Sequence, residues 1–142
     1  MTIIQLSIFI ENRSGTLLKV LEVLKEAKVQ IVASTIADTA EYGIYRLICS
    51  EPQRACEELK RAGVPVSLSN VFALELDNQP GCAADAIATF SRAQISISYL
   101  YSFLLAGKGI LVFRTENAEL ARQTILDNHL HYISEDELAK MV

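Results

Sequence analysis

Apolar residues recur along the chain at two spacings, one typical of strands and the other typical of helices. Residues 2–10 alternate between an apolar and a half-polar face, which predicts a strand. Residues 16–28 place apolar side chains every three or four positions, which predicts an amphipathic helix. Three later segments alternate again, and they are residues 29–37, 42–49 and 64–69.

A second helix is expected between the last two of these strands. Its predicted N-cap is Ser50, and Pro52 falls in the first turn, where a missing N–H costs nothing. Gly63 is expected to end the helix. The order is then β-α-β-β-α-β, which defines the ferredoxin-like or split βαβ unit.

The second half of the chain repeats this order. Strands are predicted over residues 71–76, 95–103, 108–115 and 130–133, and helices over residues 82–93 and 117–126. Ser134 and Glu137 have the spacing of a capping box, which predicts a short terminal helix. At a constant offset of 66 positions, identical residues recur for Asn12, Gly15, Ala27, Ile31 and Gly43. The sequence therefore predicts an internal duplication.

The duplication predicts two domains, residues 1–69 and residues 70–142, the second with a short C-terminal tail. No spacer rich in Gly or Pro separates them. We therefore expect domains that pack against each other rather than swing freely. The predicted fold class is α+β, with two tandem ferredoxin-like units whose antiparallel sheets pack side by side.

One short stretch occurs twice, each time between the first strand and the first helix of a unit. It reads Glu11-Asn12-Arg13-Ser14-Gly15-Thr16-Leu17 and then Asp77-Asn78-Gln79-Pro80-Gly81-Cys82-Ala83. Glycine lets the backbone approach a ligand, and the N-terminus of the following helix suits a carboxylate. On spacing alone, a capped tight turn explains these residues as well. Candidate polar contacts from the neighbouring strands are Ser34, Thr35, Ser98 and Tyr99.

The duplicated order, together with an acid-Asn-x-Pro/Ser-Gly turn, resembles the ACT domain family of small regulatory modules that bind amino acids and related metabolites. The resemblance covers the chain up to Ile133. The first turn has Ser14 in place of the common Pro but keeps Gly15 and Leu17. The second turn has Ala83 where a larger apolar residue is usual.

The resemblance implies a ligand at the interface between paired modules, contacted by this turn and by the adjacent strand. It also implies a homodimer. The implied ligand-binding residues are Asn12, Arg13, Ser14, Gly15, Thr16 and Leu17 of the first turn and Asn78, Gln79, Pro80, Gly81, Cys82 and Ala83 of the second.

Charge and composition exclude several classes of function. A net charge of -4 without a basic run argues against nucleic-acid binding. No apolar stretch reaches the roughly eighteen residues of a membrane span, and residues 1–10 do not resemble a signal peptide. Three cysteines without CxxC spacing indicate free thiols in a reducing cytoplasm.

Other reactive residues do not form a convincing site. His129 and His131 can begin a metal site, but no third ligand stands at the right spacing, so solvated histidines are favoured and no metal or cofactor is expected. Cys82 near a helix N-terminus is a candidate reactive thiol, although Thr16 takes its place in the first repeat. No nucleophile elbow or paired carboxylates occur, so no catalytic residue is predicted.

A row of aromatic residues shares one face of a predicted strand, and it comprises Tyr99, Tyr101 and Phe103. Such a row can stack bases, but in an acidic chain a core or interface position is favoured. A ferredoxin-like sheet carries helices on one face only. An apolar opposite face left bare is therefore a predicted association surface.

The sequence predicts a stand-alone regulatory protein that binds a free amino acid or a similar small metabolite and is not an enzyme. A metabolic enzyme or regulator would be its downstream partner. The alternative is a module that only dimerises or serves as the regulatory subunit of a biosynthetic enzyme. A third hypothesis is a small enzyme on the same scaffold, which would require convergent polar groups in one cleft.

Overall fold

The computed structural model describes residues 1–11, 13–38 and 42–142. The strands are β1 (Thr2–Glu11), β2 (Ile31–Asp38), β3 (Tyr42–Cys49), β4 (Val66–Leu76), β5 (Ile97–Leu105) and β6 (Lys108–Thr115). The helices are α1 (Thr16–Glu26), α2 (Pro52–Arg61), α3 (Cys82–Arg92), α4 (Ala118–Asp127) and α5 (Glu135–Met141). The chain divides into two compact units, one formed by Ile4–Asn70 and the other by Met1–Ile3 with Val71–Val142.

In the unit Ile4–Asn70, β3 pairs antiparallel with both β1 and β2. The backbone N–H of Phe9 on β1 donates to the carbonyl of Pro65 at 3.0 Å, which holds the residue before β4 against β1. Alternation on the strands and helical spacing on α1 and α2 put one apolar set inside. The fully buried members of this core include Leu6, Leu24, Leu47 and Leu59.

In the second unit, β6 pairs antiparallel with both β4 and β5. The core is aromatic, since the ring of Phe113 lies 5.3 Å from that of Phe72 and 4.8 Å from that of Phe90. The segment after α4 bonds to β4, with the N–H of Glu75 donating to the carbonyl of His131 at 2.8 Å. Of the strand predicted over residues 130–133, the structure has a single bridge between Tyr132 and Leu74.

The two units repeat each other in geometry as well as in sequence. Helices α1 and α3 begin and end 66 positions apart, and so do α2 and α4. Ser34 pairs with Leu47 in the first unit, and Leu100 pairs with Phe113 in the second. The predicted α+β class and the two ferredoxin-like units with antiparallel strands are confirmed.

Of the two N-caps predicted at Ser134 and Ser50, one is confirmed and the other is wrong. Ser134 caps α5 as predicted, because its Oγ accepts from the N–H of Glu137 at 3.2 Å. The prediction for Ser50 is wrong, since the N-cap of α2 is Glu51. Ser50 instead uses its Oγ to accept from the N–H of Gln30 at 3.0 Å. A long-range partner thus competes successfully for the side chain that a helix start would use.

Candidate functional site

The first strand–turn–helix junction is a tight backbone turn. The N–H of Arg13 donates to the carbonyl of Glu11 at 2.8 Å, and the N–H of Thr16 donates to the carbonyl of Arg13 at 3.4 Å. Gly15 then serves as the N-cap of α1 with φ 89°, in the left-handed region that favours glycine. Its carbonyl accepts from the N–H of Lys19 at 3.0 Å, which starts the helix.

The second junction repeats these bonds with different side chains. The N–H of Gln79 donates to the carbonyl of Asp77 at 2.8 Å, and the N–H of Cys82 donates to the carbonyl of Gln79 at 3.3 Å. Gly81 is the N-cap of α3 with φ 89°, and its carbonyl accepts from the N–H of Asp85 at 3.0 Å. The backbone of the turn is therefore set by the glycine and the strand end rather than by the variable side chains.

A glycine N-cap has no side chain to cap its helix. By contrast, Asn117 caps α4 by accepting from the N–H of Leu120 at 3.2 Å, and Ser134 caps α5. The start of a helix carries N–H groups without intrahelical partners and the positive end of the dipole. Both turns thus leave the N-cap position of their helix open to a carboxylate.

Side chains distinguish the two turns. The hydroxyl of Thr16 lies 2.7 Å from the carbonyl oxygen of Glu11 and 2.9 Å from that of Arg13, and its one proton is shared between these two acceptors. Cys82 stands at the equivalent position of the second turn. The acid of the first turn pairs with its own turn, since Arg13 lies 2.6 Å from Glu11. The first turn is therefore braced by its own side chains.

The acid of the second turn pairs with a residue that is distant in sequence. Nζ of Lys108, at the start of β6, lies 3.1 Å from Oδ1 of Asp77. Both groups are exposed, so the pair contributes little to stability. The pair places one positive and one negative charge beside the second turn.

A cavity lies beside each turn, bounded by the start of the helix and by the edge strand. The first has a volume of about 200 Å³ and is lined by Ile10, Glu11, Arg13, Thr16, Leu17, Ile36, Tyr42 and Gly43. The second has a volume of about 310 Å³ and is lined by Leu76, Asp77, Asn78, Gln79, Cys82, Ala83, Ser102, Phe103, Leu104, Gly109, Ile110 and Leu111.

The family model described as an ACT domain pair matches residues 1–142. The chain belongs to the ACT domain family. It is thus a pair of modules of a regulatory family, and the resemblance inferred from the two turns is confirmed.

Solved structures agree with this assignment. A protein of Bacteroides thetaiotaomicron is 32% identical, with a TM-score of 0.92 over 99% of this chain and 97% of that chain. The ligand-free regulatory subunit of aspartate kinase from Thermus thermophilus is 14% identical, with a TM-score of 0.62 over 87% of this chain and 91% of that chain. The Thermus flavus regulatory subunit is 16% identical, with a TM-score of 0.58 over 87% and 90% of the two chains. The two Thermus proteins share the fold of the ACT pair. The comparison with curated proteins finds no match.

Within the ACT pair, the residues predicted from the turns separate into two groups. Seven of them line a cavity, namely Arg13, Thr16 and Leu17 in the first and Asn78, Gln79, Cys82 and Ala83 in the second. Four others, Ser14, Gly15, Pro80 and Gly81, complete the bend of the chain between strand and helix. Asn12 lies outside the described residues. The structure therefore brings most of the predicted side chains of each turn to one cavity.

The wall formed by the neighbouring strands differs from the sequence-based expectation. Ser34, Thr35, Ser98 and Tyr99 were the candidates, whereas the described lining contains Ile36, Tyr42 and Gly43 in the first unit and residues 102–104 and 109–111 in the second. The actual lining lies nearer the hairpin end, where Leu104 pairs with Gly109. The recurrence of Gly43 as Gly109 was the available signal, because a glycine in a strand marks a place of close approach.

The other candidate groups of the ACT pair form no site among the residues described. His129 has φ 53° and follows α4, so it does not share a strand face with His131. Within residues 1–11, 13–38 and 42–142, no three side chains of His, Cys, Asp or Glu are placed to hold a metal. Cys49 and Cys56 are buried cysteines outside any disulfide, and Cys82 is partly exposed. Over the same residues no helix has the length and apolar character to cross a membrane.

Proposed function

We propose that the ACT pair is a regulatory protein that binds a free amino acid or a closely related small metabolite at a strand–turn–helix cavity. It acts as a sensor and not as a catalyst. The observation that supports this function is the recurrence of one backbone geometry, with a glycine N-cap at Gly15 and Gly81, beside a cavity in each unit.

The chemistry of the cavities fits an amino acid. The carboxylate of the ligand docks at the helix start, where backbone N–H groups and the dipole favour negative charge. A carboxylate at the turn, Glu11 or Asp77, provides the counter-charge for the ligand ammonium group. Apolar residues on the facing strands hold the remaining side chain. Because binding favours one arrangement of the protein, it reports the metabolite level to a downstream enzyme or regulator.

A homodimer in the cytoplasm is part of this proposal. The edge strand β5 exposes Leu100 at 48% and Leu104 at 64%, and such apolar side chains are well suited to cover by a second copy. The three free cysteines agree with a reducing compartment. In the ACT family a paired module completes the ligand site, so dimerisation and sensing are expected to be coupled.

A thermal-shift screen with the nineteen L-amino acids and glycine at millimolar concentration tests the function. Binding to the native state alone stabilises a protein by about 2.7 kcal/mol at a hundredfold excess over Kd. For a chain of this size, each kcal/mol raises Tm by about 2–4 °C. The matched D-amino acids are the control, because a site that holds ammonium, carboxylate and side chain together distinguishes the enantiomers.

The alternative function is a module that only dimerises or serves as the regulatory subunit of a biosynthetic enzyme. The exposed leucines of β5 favour an association role even without a ligand. This alternative predicts no shift with any amino acid and co-purification with a catalytic partner. A shift with L- but not D-enantiomers rejects it in favour of sensing.

A further inference from the structure

The two cavities of the ACT pair occupy equivalent places but differ in size. The first holds about 200 Å³ and the second about 310 Å³. Pockets that enclose small ligands usually measure roughly 300–1,000 Å³. The second cavity reaches this range, and the first does not.

Two pairs of equivalent lining residues differ in size in the direction of this difference. Ala83 lines the second cavity at the position that Leu17 has in the first, 66 residues earlier. Ser102 lines the second cavity at the position of Ile36. Both substitutions shorten a side chain, one on the helix wall and one on the edge-strand wall. In the first unit the protein therefore fills the volume that it leaves open in the second.

The strand register places Ile36 and Ser102 at equivalent positions of their two hairpins. Ile36 on β2 pairs with Tyr45 on β3, and Ser102 on β5 pairs with Leu111 on β6. Leu17 also packs against the buried core of its unit, which fixes its position. Ala83 and Ser102 are both exposed, so the second cavity opens to solvent between two small side chains.

Charge around the second cavity suits a zwitterion. Asp77 lines the cavity and pairs at 3.1 Å with Lys108, which comes from the facing strand. In the first unit Tyr42 takes the position of Lys108, and Arg13 pairs with Glu11 from the same turn. The second cavity therefore has a carboxylate in its lining and, paired with that carboxylate, a positive charge that comes from β6 rather than from the turn.

The second cavity has an aliphatic part beside the polar residues Asn78, Gln79 and Ser102. Leu76, Leu104 and Leu111 line it together with Ala83, and Leu111 is buried at 2% exposure. An aliphatic ligand side chain that displaces water from this lining gains affinity in proportion to the apolar area covered. A charged side chain would lose its hydration there without a buried partner of opposite charge.

We propose that the second cavity is the working ligand site and that it selects an α-amino acid with a branched aliphatic side chain, with Ala83 and Ser102 setting the available size. This inference rests on the sensing function proposed above. The first cavity excludes such a ligand because Leu17 and Ile36 occupy the equivalent space.

The test is calorimetric titration of the full chain with L-leucine, L-valine, glycine, L-aspartate and L-lysine. The double variant Ala83→Leu with Ser102→Ile gives the second cavity the residues of the first. The matched control is Ala84→Leu with Ser98→Ile, which adds the same atoms at exposed neighbouring positions outside the described lining. Circular dichroism and Tm establish that both variants fold.

We expect L-leucine or L-valine to bind the wild-type chain more tightly than glycine, aspartate or lysine. The cavity-filling variant should weaken that binding at least about tenfold, the size of effect that one methylene can have in an apolar pocket. The control should bind within about twofold of wild type. Preferred binding of a charged amino acid, or unchanged leucine binding in the filled variant, overturns the inference and leaves the sensing function intact. Absence of binding by these five, together with no thermal shift by any of the twenty amino acids, overturns both.

Discussion

Gly15 and Gly81 have the same backbone conformation, with φ 89° in both and ψ -14° and -13°, although they lie 66 residues apart. An added Cβ would meet no atom within 4 Å at either glycine. Any cost of a larger residue there is therefore a cost of the left-handed backbone itself rather than of a clash.

Replacing either glycine with alanine should accordingly destabilise the protein by a similar amount, about 1–2 kcal/mol. Urea denaturation of Gly15→Ala and Gly81→Ala measures the change. Gly63→Ala is a matched control outside both turns, because Gly63 has φ 79° and equally open surroundings. A loss of stability on replacing one turn glycine and none on replacing the other would contradict the equivalence of the two turns.

The hydroxyl of Thr16 should stabilise the first turn. Thr16→Val removes the hydrogen bonds to the carbonyls of Glu11 and Arg13 while keeping the shape of the side chain, and we expect a loss of about 0.5–1.5 kcal/mol. The reciprocal change Cys82→Thr gives the second turn the same hydroxyl and should stabilise it. Denaturant midpoints measure both effects, and opposite signs for the two variants are the expected result.

Lys108 should contribute to binding but not to stability. Its pair with Asp77 is exposed, so Lys108→Met should change the free energy of unfolding by less than about 1 kcal/mol. Its positive charge lies beside the turn at whose helix start the ligand carboxylate docks, so the same variant should weaken amino-acid binding about tenfold, because interactions with charged groups contribute about 1.5–3 kcal/mol.

Arg54→Met is the control for this experiment, since Arg54 forms an equally exposed pair with Glu51 at 3.0 Å on α2. Both variants should unfold at the wild-type midpoint, and only Lys108→Met should raise Kd in calorimetric titration. Equal binding by the two variants would place the ligand away from Lys108.

The edge strand β5 should carry the dimer contact. Leu100 is 48% exposed and lies outside the described cavity lining, so Leu100→Lys should disrupt association while the cavity lining within the chain keeps its residues. Leu126 on α4 is 47% exposed and provides the control Leu126→Lys. Sedimentation equilibrium should give a monomer for the first variant and the wild-type mass for the second. A dimeric Leu100→Lys protein would rule out this edge.

The sequence was sufficient for features that depend on local spacing. Alternation, helical periodicity and the offset between Gly15 and Gly81 predicted the two units, the two turns and the cap at Ser134. The lining of the cavities was not predictable in the same way, because Ile36 and Ser102 reach the turn through the register of a hairpin. Register depends on pairing between distant segments, and the sequence of a single strand does not specify it. The N-cap predicted at Ser50 was wrong for the same reason, since the Oγ of Ser50 accepts from Gln30, which lies 20 residues away in sequence.

Ala83 illustrates how the structure changes the interpretation of a residue. In the sequence it is a departure from the larger apolar residue usual in the family. In the structure it is an exposed residue that lines the larger cavity. A small side chain at this position enlarges the cavity and does not remove a core contact. The effect is visible only in the structure, because Ser102 lines the same cavity.

Strand β4 runs without interruption from Val66 to Leu76, while the boundary between the two compact units falls at Asn70. Val66 packs against the core of the first unit, and Phe72 and Leu74 belong to the core of the second. An insertion or deletion of a single residue inside β4 would turn one of these sets away from its core. Such a change would cost one unit part of its buried core, so the length of β4 is constrained in a way that the length of an exposed turn is not.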